Sequence, residues 1–507
     1  MWEFTQHKMK KVIVIGSGIG GLTAGNLLAK RGHKVTIFES HSKPGGYTAG
    51  FYRKGFYFES GTLSFESSSS IFKAMRDIGV LDKISFVIQK SRSVSQDFDS
   101  ILESYQDFKE MYYNAFPSEK DKLEKYFSEV DEMYDAIHPF VQRPIPYLYS
   151  GLRFVFAIIP FLNSVRKFLK ISKRYKYITI GEFTARFFDK GSKLYRLLTD
   201  LGYPEMGAWI VGGSMTMLDD YRTVYGGMQS WADILSDNFK KSGGELKLNS
   251  YVDTILTKNG KAVGVSSNNV TFDADYIISA CDYKNTLLKL VDNKSLIPVE
   301  LQEKIRKASV SEGFFTVYLG LSISNDELRK YMKVPYVKYR DDKPGKDLHN
   351  INDKGLFEKT SITLYSPSIM NPDLAPKGKS SLMLQAFSPS GWMQNRGGGD
   401  KEKYSQLKEQ VKKSLIKKGE RIVPGLRTFV ECEDAATPLT YERYTHNTDG
   451  ASSAWSWNPK KKFFTKTMRF KIETPIKNLY IGSCWATQIG GVPGAVTAAY
   501  LCSKKIK

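Results

Sequence analysis

The residues best suited to chemistry in this chain lie within forty positions of its start. Gly16, Ser17, Gly18, Ile19, Gly20 and Gly21 form a G-x-G-x-x-G run. In that pattern the backbone turns against a pyrophosphate whose charge rests on the N-terminus of the following helix. Gly16 suits the tight turn, Gly18 the close approach of the phosphates, and Gly21 the packing of helix on strand. About 20 residues further on, Glu39 can accept hydrogen bonds from an adenosine ribose, and its charge disfavours a 2′-phosphate. No other constellation competes. His7, His33 and His41 lie around this region, but none of the six histidines forms an H-x-x-x-H or similar ligand pair. Cys281, Cys432, Cys484 and Cys502 contain no C-x-x-C. A metal centre, a dithiol centre and a disulfide framework are therefore not indicated.

Such a turn needs a strand, a helix and a second strand in that order. Residues 11–15 read K-V-I-V-I, the continuous β-branched run of a strand buried on both faces in a parallel sheet. Leu22, Leu27 and Leu28 give residues 22–30 helical spacing, Gly32 ends the segment, and V-T-I-F at 35–38 leads into Glu39. A glycine run alone is a weak signal, because many are only turns. With strand, helix, second strand and terminal acid in register it specifies a dinucleotide-binding βαβ unit, leaving NAD and FAD both open.

Composition narrows the class. A chain of 507 residues with 41% apolar content can bury a large core and is expected to hold two or more structural regions. Seventy-four Lys and Arg against 53 Asp and Glu leave a formal charge of +21, which favours an anionic partner. Zinc spacing, a basic zipper and an aromatic RNA-binding signature are all missing, so a membrane surface ranks above nucleic acid. No window offers the roughly 20 uninterrupted apolar residues of a spanning helix, and no apolar leader precedes the first strand. With the dispersed cysteines, this gives a cytoplasmic expectation, peripheral to the membrane.

Further segments resemble the phytoene desaturase, carotenoid isomerase and retinol saturase group of flavoproteins, more distantly related to the amine oxidases. Pro44-Gly45-Gly46 is similar to that group's P-G-G element. Residues 55–61, G-F-Y-F-E-S-G, resemble its G-x-x-F-D-x-G element, with Glu59 in place of Asp. Tyr225-Gly226-Gly227-Met228 is similar to P-x-G-G-M, with a tyrosine in place of one expected residue. Residues 243–265 resemble its G-G-E, V-x-x-I and G-x-a-x-G-V pattern, in which a residue near Val252 meets adenine through its backbone. Residues 274–280 resemble the strand that returns to the cofactor. Residues 434–444 resemble D-x-x-T-P-x-T-x-x-R, and residues 490–495, G-G-V-P-G-A, resemble the step into a last helix whose N-terminus faces the flavin ring. The resemblance therefore implies FAD, held by Gly16, Ser17, Gly18, Ile19, Gly20, Gly21, Glu39, Ser40, Gly45, Gly46, Val252, Gly482, Ser483, Gly491, Val492, Pro493 and Ala495. One departure is visible: where many members carry an acid after the glycine equivalent to Gly482, this chain has Ser483 and Cys484. A serine there can donate a hydrogen bond, and Cys484 reads as a small buried residue.

Matches at both ends and in the middle imply an α/β fold. A Rossmann-like, amine-oxidase-type FAD domain is expected from residues 1–85, 225–300 and 470–507, with a mixed α+β substrate domain inserted at 86–224 and 301–469. No second glycine fingerprint marks an NAD(P)H domain. Within the insertion, residues 145–177 are a possible membrane-facing segment. Phe154, Ile158, Leu162, Val165 and Leu169 recur at helical spacing, with Asn163, Arg166, Lys167 and Lys170 between them, an interruption at Pro160, and Lys173, Arg174 and Lys176 beyond. The same pattern also suits an ordinary helix packed on the substrate domain. His446, Trp455 and Trp457 are aromatic candidates for an apolar tunnel or for plain core. Glu59 is the first acid to inspect, against a structural prior of helix capping. The resemblance implies desaturation, saturation or isomerisation of carbon–carbon double bonds in a lipophilic polyene, with catalytic side chains and oligomeric state left open. The competitors are another flavoenzyme class (an amine oxidase, or a fatty-acid or steroid double-bond enzyme) and a flavin-free prenyl- or lipid-binding protein of the same fold.

Overall fold

The computed structural model describes residues 9–341, 357, 360–388, 400–465, 469–488 and 490–506; His7 lies outside the described residues. At its centre, the strand Lys11–Ile15 buries four of its five residues and lies between Lys34–Phe38 and Tyr276–Ser279. Glu245–Lys247 and Leu479–Ile481 complete a five-stranded, wholly parallel sheet. A strand covered on both faces cannot alternate polar and apolar residues, which explains the unbroken K-V-I-V-I run.

Register sets up the site. Ile481, Ser279, Ile15, Phe38 and Lys247 pair across the sheet in one row. The ladder continues one residue further, through Gly482 N–H to Ser279 O, Ala280 N–H to Ile15 O, Gly16 N–H to Phe38 O, and Glu39 N–H to Lys247 O, all 2.8–2.9 Å. The chain then leaves the sheet at this carboxyl edge, where open α/β sheets bind their ligands. Helix Ile19–Ala29 is buried along its whole length and packs between Gly491–Lys505 and Met228–Lys241, which its sequence permits only because it is built from small and aliphatic residues. At Gly21 a Cβ would lie 1.9 Å from Gly16 O, so helix and turn approach as closely as glycine allows, and Gly16 itself has φ +94°.

A second, seven-stranded sheet runs Val430–Ala436, Gly313–Leu321, Ser380–Ser388, Ile362–Tyr365, Tyr336–Tyr339, Ser91–Val94 and Asp99–Leu102. It is antiparallel except where Tyr336–Tyr339 meets Ser91–Val94. Val252–Asp273 forms a three-stranded antiparallel meander. Helices Tyr105–Ala115, Lys120–Gln142, Leu162–Arg174 and Ile210–Asp219 enclose a separate, aromatic-rich core. This is the α/β plus mixed α+β architecture expected from the sequence.

Residues 145–177 form helix Leu152–Ile158, a 3-10 turn Ile159–Phe161 containing Pro160, and helix Leu162–Arg174. The side packed inward is Phe161, Ser164, Ile171 and Tyr175. Of the apolar stripe read from the sequence, Phe154 and Ile158 are half-buried, while Leu162, Val165 and Leu169 face outward with Leu152, Val155, Phe156 and Ile159. The segment thus carries two apolar faces, only one of which the fold covers.

Candidate active site

A cleft of about 280 Å³ opens at the carboxyl edge of the parallel sheet. Of the residues named from sequence, Gly16, Gly18, Ile19, Gly20, Glu39, Ser40, Gly45, Gly46, Val252, Ser483, Gly491, Val492 and Ala495 line it. Three others stand behind its wall. Ser17 is fully buried and donates to Glu39, Gly21 packs on Gly16, and Gly482 extends the sheet ladder, its carbonyl 2.5 Å from where a Gly20 Cβ would be. Pro493 faces a neighbouring cavity instead of this cleft, because residues 490–494 form the partition between the two.

The cleft is suited to an anion. Helix Ile19–Ala29 starts at Gly18 and helix Gly491–Lys505 at Gly490; both N-termini open here, and neither has a side-chain cap. Unpaired N–H groups with a positive dipole end therefore face the space from two sides. A Cβ on Gly18 would meet nothing nearer than Gly45 O at 4.0 Å, so the wall has room for a ligand there. Glu39 is buried and held by four donors: Ser17 N–H (2.8 Å) and Oγ–H (2.7 Å) on Oε2, and His41 N–H (3.0 Å) and Ser40 Oγ–H (3.2 Å) on Oε1. These residues fit a dinucleotide: phosphate at the glycine turn, ribose at Glu39 and ring at the second helix.

Ser483 lines the cleft and donates, as its sequence reading allows, but to the protein itself. Its hydroxyl donates to the Cys281 carbonyl at 2.7 Å, so only its lone pairs remain for a ligand. Burial pushes the thiols of Cys281 and Cys484 up to about 12, which keeps both as neutral wall residues. Sequence reasoning missed Tyr251, Lys289 and Tyr444, which line the cleft together with His446, a candidate for an apolar tunnel or core. A partial signal existed at 437–440. Thr437 caps helix Pro438–Thr445 in a capping box with Thr440, with Pro438 in the first turn. The T-P-x-T step thus fixes where Tyr444 and His446 emerge.

Beyond the partition lies a larger cavity of about 790 Å³, lined mainly by apolar side chains such as Ile137, Phe140, Phe168, Trp209, Met217 and Trp457. Tyr147, Val165 and Leu169 belong both to this lining and to the exposed apolar face. The three aromatic candidates separate: Trp457 lines this cavity and His446 the smaller cleft, while Trp455 is core, stacked on Phe463 at 3.8 Å. Glu59 lines neither. It is fully buried, accepting from Met228 N–H (3.0 Å) and Tyr57 O–H (2.8 Å) at the start of helix Met228–Lys241, and burial raises it to about 8. Its role is capping.

Known proteins give this geometry a family. Residues 19–507 match the family described as flavin containing amine oxidoreductase. The chain is 25% identical over 488 residues to a 4,4'-diapophytoene desaturase (4,4'-diapolycopene-forming) from Methylomonas sp., covering 90% of this chain and 88% of that protein. It is 26% identical over 538 residues to prolycopene isomerase 2, chloroplastic, from an Oncidium hybrid cultivar, covering 97% and 83%. In fold it is similar to a crystal structure of an oxidoreductase from Methanosarcina mazei, with TM-score 0.61, 16% identity and coverage of 96% and 98%. These matches bear out the resemblance to the phytoene desaturase group, and the cofactor is FAD. The chain belongs to the flavin-containing amine oxidoreductase family and is an FAD-dependent oxidoreductase.

Proposed function

We propose that this enzyme acts on carbon–carbon double bonds of a lipophilic polyene, taken from a membrane surface. The observation that carries the reading is the large apolar cavity, which meets the cofactor cleft at residues 490–494 and reaches the exposed apolar face at Val165 and Leu169. A long hydrocarbon suits such a mainly apolar space. The printed activities of the two curated relatives, a desaturation and an isomerisation of polyenes, agree with it.

In this assignment residues 1–85, 225–300 and 470–507 make the cofactor-holding unit, and the remainder holds substrate. The backbone around Gly16–Ile19 binds the pyrophosphate, and Ser40 gives up its long hydrogen bond to Glu39 so that a ribose hydroxyl can take the place. Gly491, Val492 and Ala495 hold the ring. When bound, FAD supplies hydride and electron acceptance. The chain's own side chains orient the polyene and exclude water. Exposed Leu152, Phe156, Ile159, Leu162 and Leu169 enter the lipid interface, with Arg166 and Lys170 among anionic headgroups. No helix among the described residues is long and apolar enough to cross a membrane.

The test is incubation of the holoenzyme with phytoene, prolycopene and all-trans-retinol in anionic liposomes, followed by product masses. Loss of two hydrogens assigns a desaturase, gain of two from the reduced enzyme a saturase, and an unchanged mass with shifted retention an isomerase. Conversion of none of the three would sink the polyene assignment.

A further inference from the structure

Resting on the polyene reading above, we propose that Glu66 is a catalytic acid–base residue that passes a proton between its carboxyl group and the substrate carbon chain.

Glu66 lines the large cavity and, among the described residues doing so, supplies the one carboxyl group. It also stands at the partition. A Cβ on Gly491 would lie 3.8 Å from Glu66 Oε1, and Gly491 itself lines the FAD cleft. The carboxyl is therefore placed where the substrate space and the ring-binding helix terminus come together.

A structural role for this acid is hard to find. Among the described residues the side chain makes no ion pair and takes no hydrogen bond from another residue; its own backbone N–H is the one donor to it. The adjacent helix Ser68–Ile78 is capped by a different acid: Asp220 accepts from Ser68 N–H (2.7 Å) and Oγ–H (2.6 Å). Glu59, seven positions earlier, shows what a structural acid looks like here, with its carboxylate fully occupied. A half-buried carboxyl turned into a mainly apolar cavity without a partner from another residue is left available for another role.

The backbone around Glu66 is held rigidly. Phe65 N–H donates to Arg222 O at 2.8 Å and Arg222 N–H to Phe65 O at 2.9 Å, while Ser68 is tied to Asp220 on the other side. Between them Ser67 takes the left-handed conformation, φ 56°, ψ 43°. That conformation costs a serine about 1–2 kcal/mol. Local strain clamped from both sides belongs with positioning of a side chain.

The surroundings favour the protonated form of this acid. Burial raises the Glu66 pKa above its usual range and the Asp220 charge adds to the effect. Asp220 is itself paired with Arg222 Nε at 2.9 Å. The phenol of Tyr221 beside it is pushed upward by burial and hence neutral, and Arg469 lines the same cavity.

In the desaturating direction, one substrate carbon loses its hydrogen as a proton to the Glu66 carboxylate. Its neighbour loses hydrogen with the bonding electron pair to oxidised FAD, and the pair left by the first C–H bond becomes the new C=C bond. The substrate is oxidised by two electrons and FAD reduced by two. Saturation is the reverse, with the Glu66 acid giving the proton. In isomerisation Glu66 adds a proton at one end of the conjugated chain, which lets the bond rotate, and then takes it back.

The experiment compares parent, Glu66→Gln and Glu66→Asp holoenzymes on whichever of phytoene, prolycopene and all-trans-retinol the parent converts. Polyene binding by fluorescence quenching and FAD content are measured alongside. The Gln variant is expected to keep FAD and bind polyene within about threefold of parent, yet lose 100-fold or more in turnover, with partial recovery in Asp and a shifted pH profile. A second readout needs no turnover. Infrared titration of FAD-free protein should show a carboxyl band that is absent from Glu66→Gln and that shifts when the polyene is added. Gln turnover within threefold of parent, or no such band responding to polyene, overturns the assignment. A parent that converts none of the three polyenes overturns the functional reading itself, and the Glu66 assignment with it.

Discussion

Gly18→Ala separates the folding role of the glycine turn from its ligand-binding role. Gly18 has φ −64° and ψ 175°, which alanine adopts freely, and the new Cβ would meet only Gly45 O at 4.0 Å. Reduced freedom in the unfolded chain favours alanine by about 0.4–1 kcal/mol, and its poorer fit at a helix N-cap offsets a similar amount. The apoprotein should therefore keep its stability to within about 1 kcal/mol. The methyl group does, however, project into the space assigned to the pyrophosphate. Overpacking of that kind costs about 1–3 kcal/mol, so FAD affinity should fall roughly 5- to 150-fold. Gly21→Ala is the counterpart. Its Cβ would lie 1.9 Å from Gly16 O, a backbone atom, so helix and turn must move apart and the apoprotein itself is destabilised. Urea unfolding of both apoproteins and fluorescence titration with FAD read the two effects separately. Unchanged FAD affinity in Gly18→Ala, or apoprotein destabilisation matching that of Gly21→Ala, would refute the placement of the phosphates.

Glu39→Ala removes the acceptor for Ser17 N–H and Oγ–H, both in a buried site. It should cost about 1–3 kcal/mol of apoprotein stability as well as FAD retention, and a melting temperature equal to parent counts against it. Glu59, raised to about 8 by burial from an ordinary 4.5, binds more protons folded than unfolded between those values. Its contribution is thus fully present below about pH 4.5 and lost as pH rises towards 8, by up to about 1.4 kcal/mol per unit. Glu59→Gln keeps an acceptor for Met228 N–H and should flatten that part of the profile, whereas parallel curves of unfolding midpoint against pH would contradict the shift. Lys167 is ion-paired with Asp135 at 3.1 Å, but Arg166 and Lys170 have no ion pair among the described residues. Arg166→Gln with Lys170→Gln should weaken pelleting with anionic vesicles in a salt-sensitive way, and Lys167→Gln should do so less. Equal pelleting of all three proteins would remove the headgroup contact.

What sequence made legible follows from how local each constraint is. The glycine turn, the buried strand and Glu39 constrain one another within thirty residues, so their geometry could be read directly and the structure brings them to one edge. The later segments at 252, 483 and 490–495 were legible only through resemblance, because their alignment with Ile15 depends on pairing across more than two hundred residues. Tyr251, Lys289, Tyr444 and His446 carry no periodicity and reach the cleft from loops and short helices. Pro493 illustrates a limit of motif reading: adjacent residues of one helix terminus face opposite sides of a partition. Residues 145–177 show another, since a helical stripe tells which residues share a face but not which face the rest of the chain covers. Glu66 belongs to no motif, and only its position between two cavities singles it out.

An FAD poised to react with a polyene would report on its substrate in the visible spectrum of the purified protein under anaerobic conditions. One FAD per chain is expected, with an absorbance that changes, in the oxidised or the chemically reduced protein, when a polyene-loaded anionic liposome is added and stays constant with an aliphatic amine such as putrescine. A chain that takes up no FAD, or a flavin bleached by the amine and indifferent to the polyene, would contradict it.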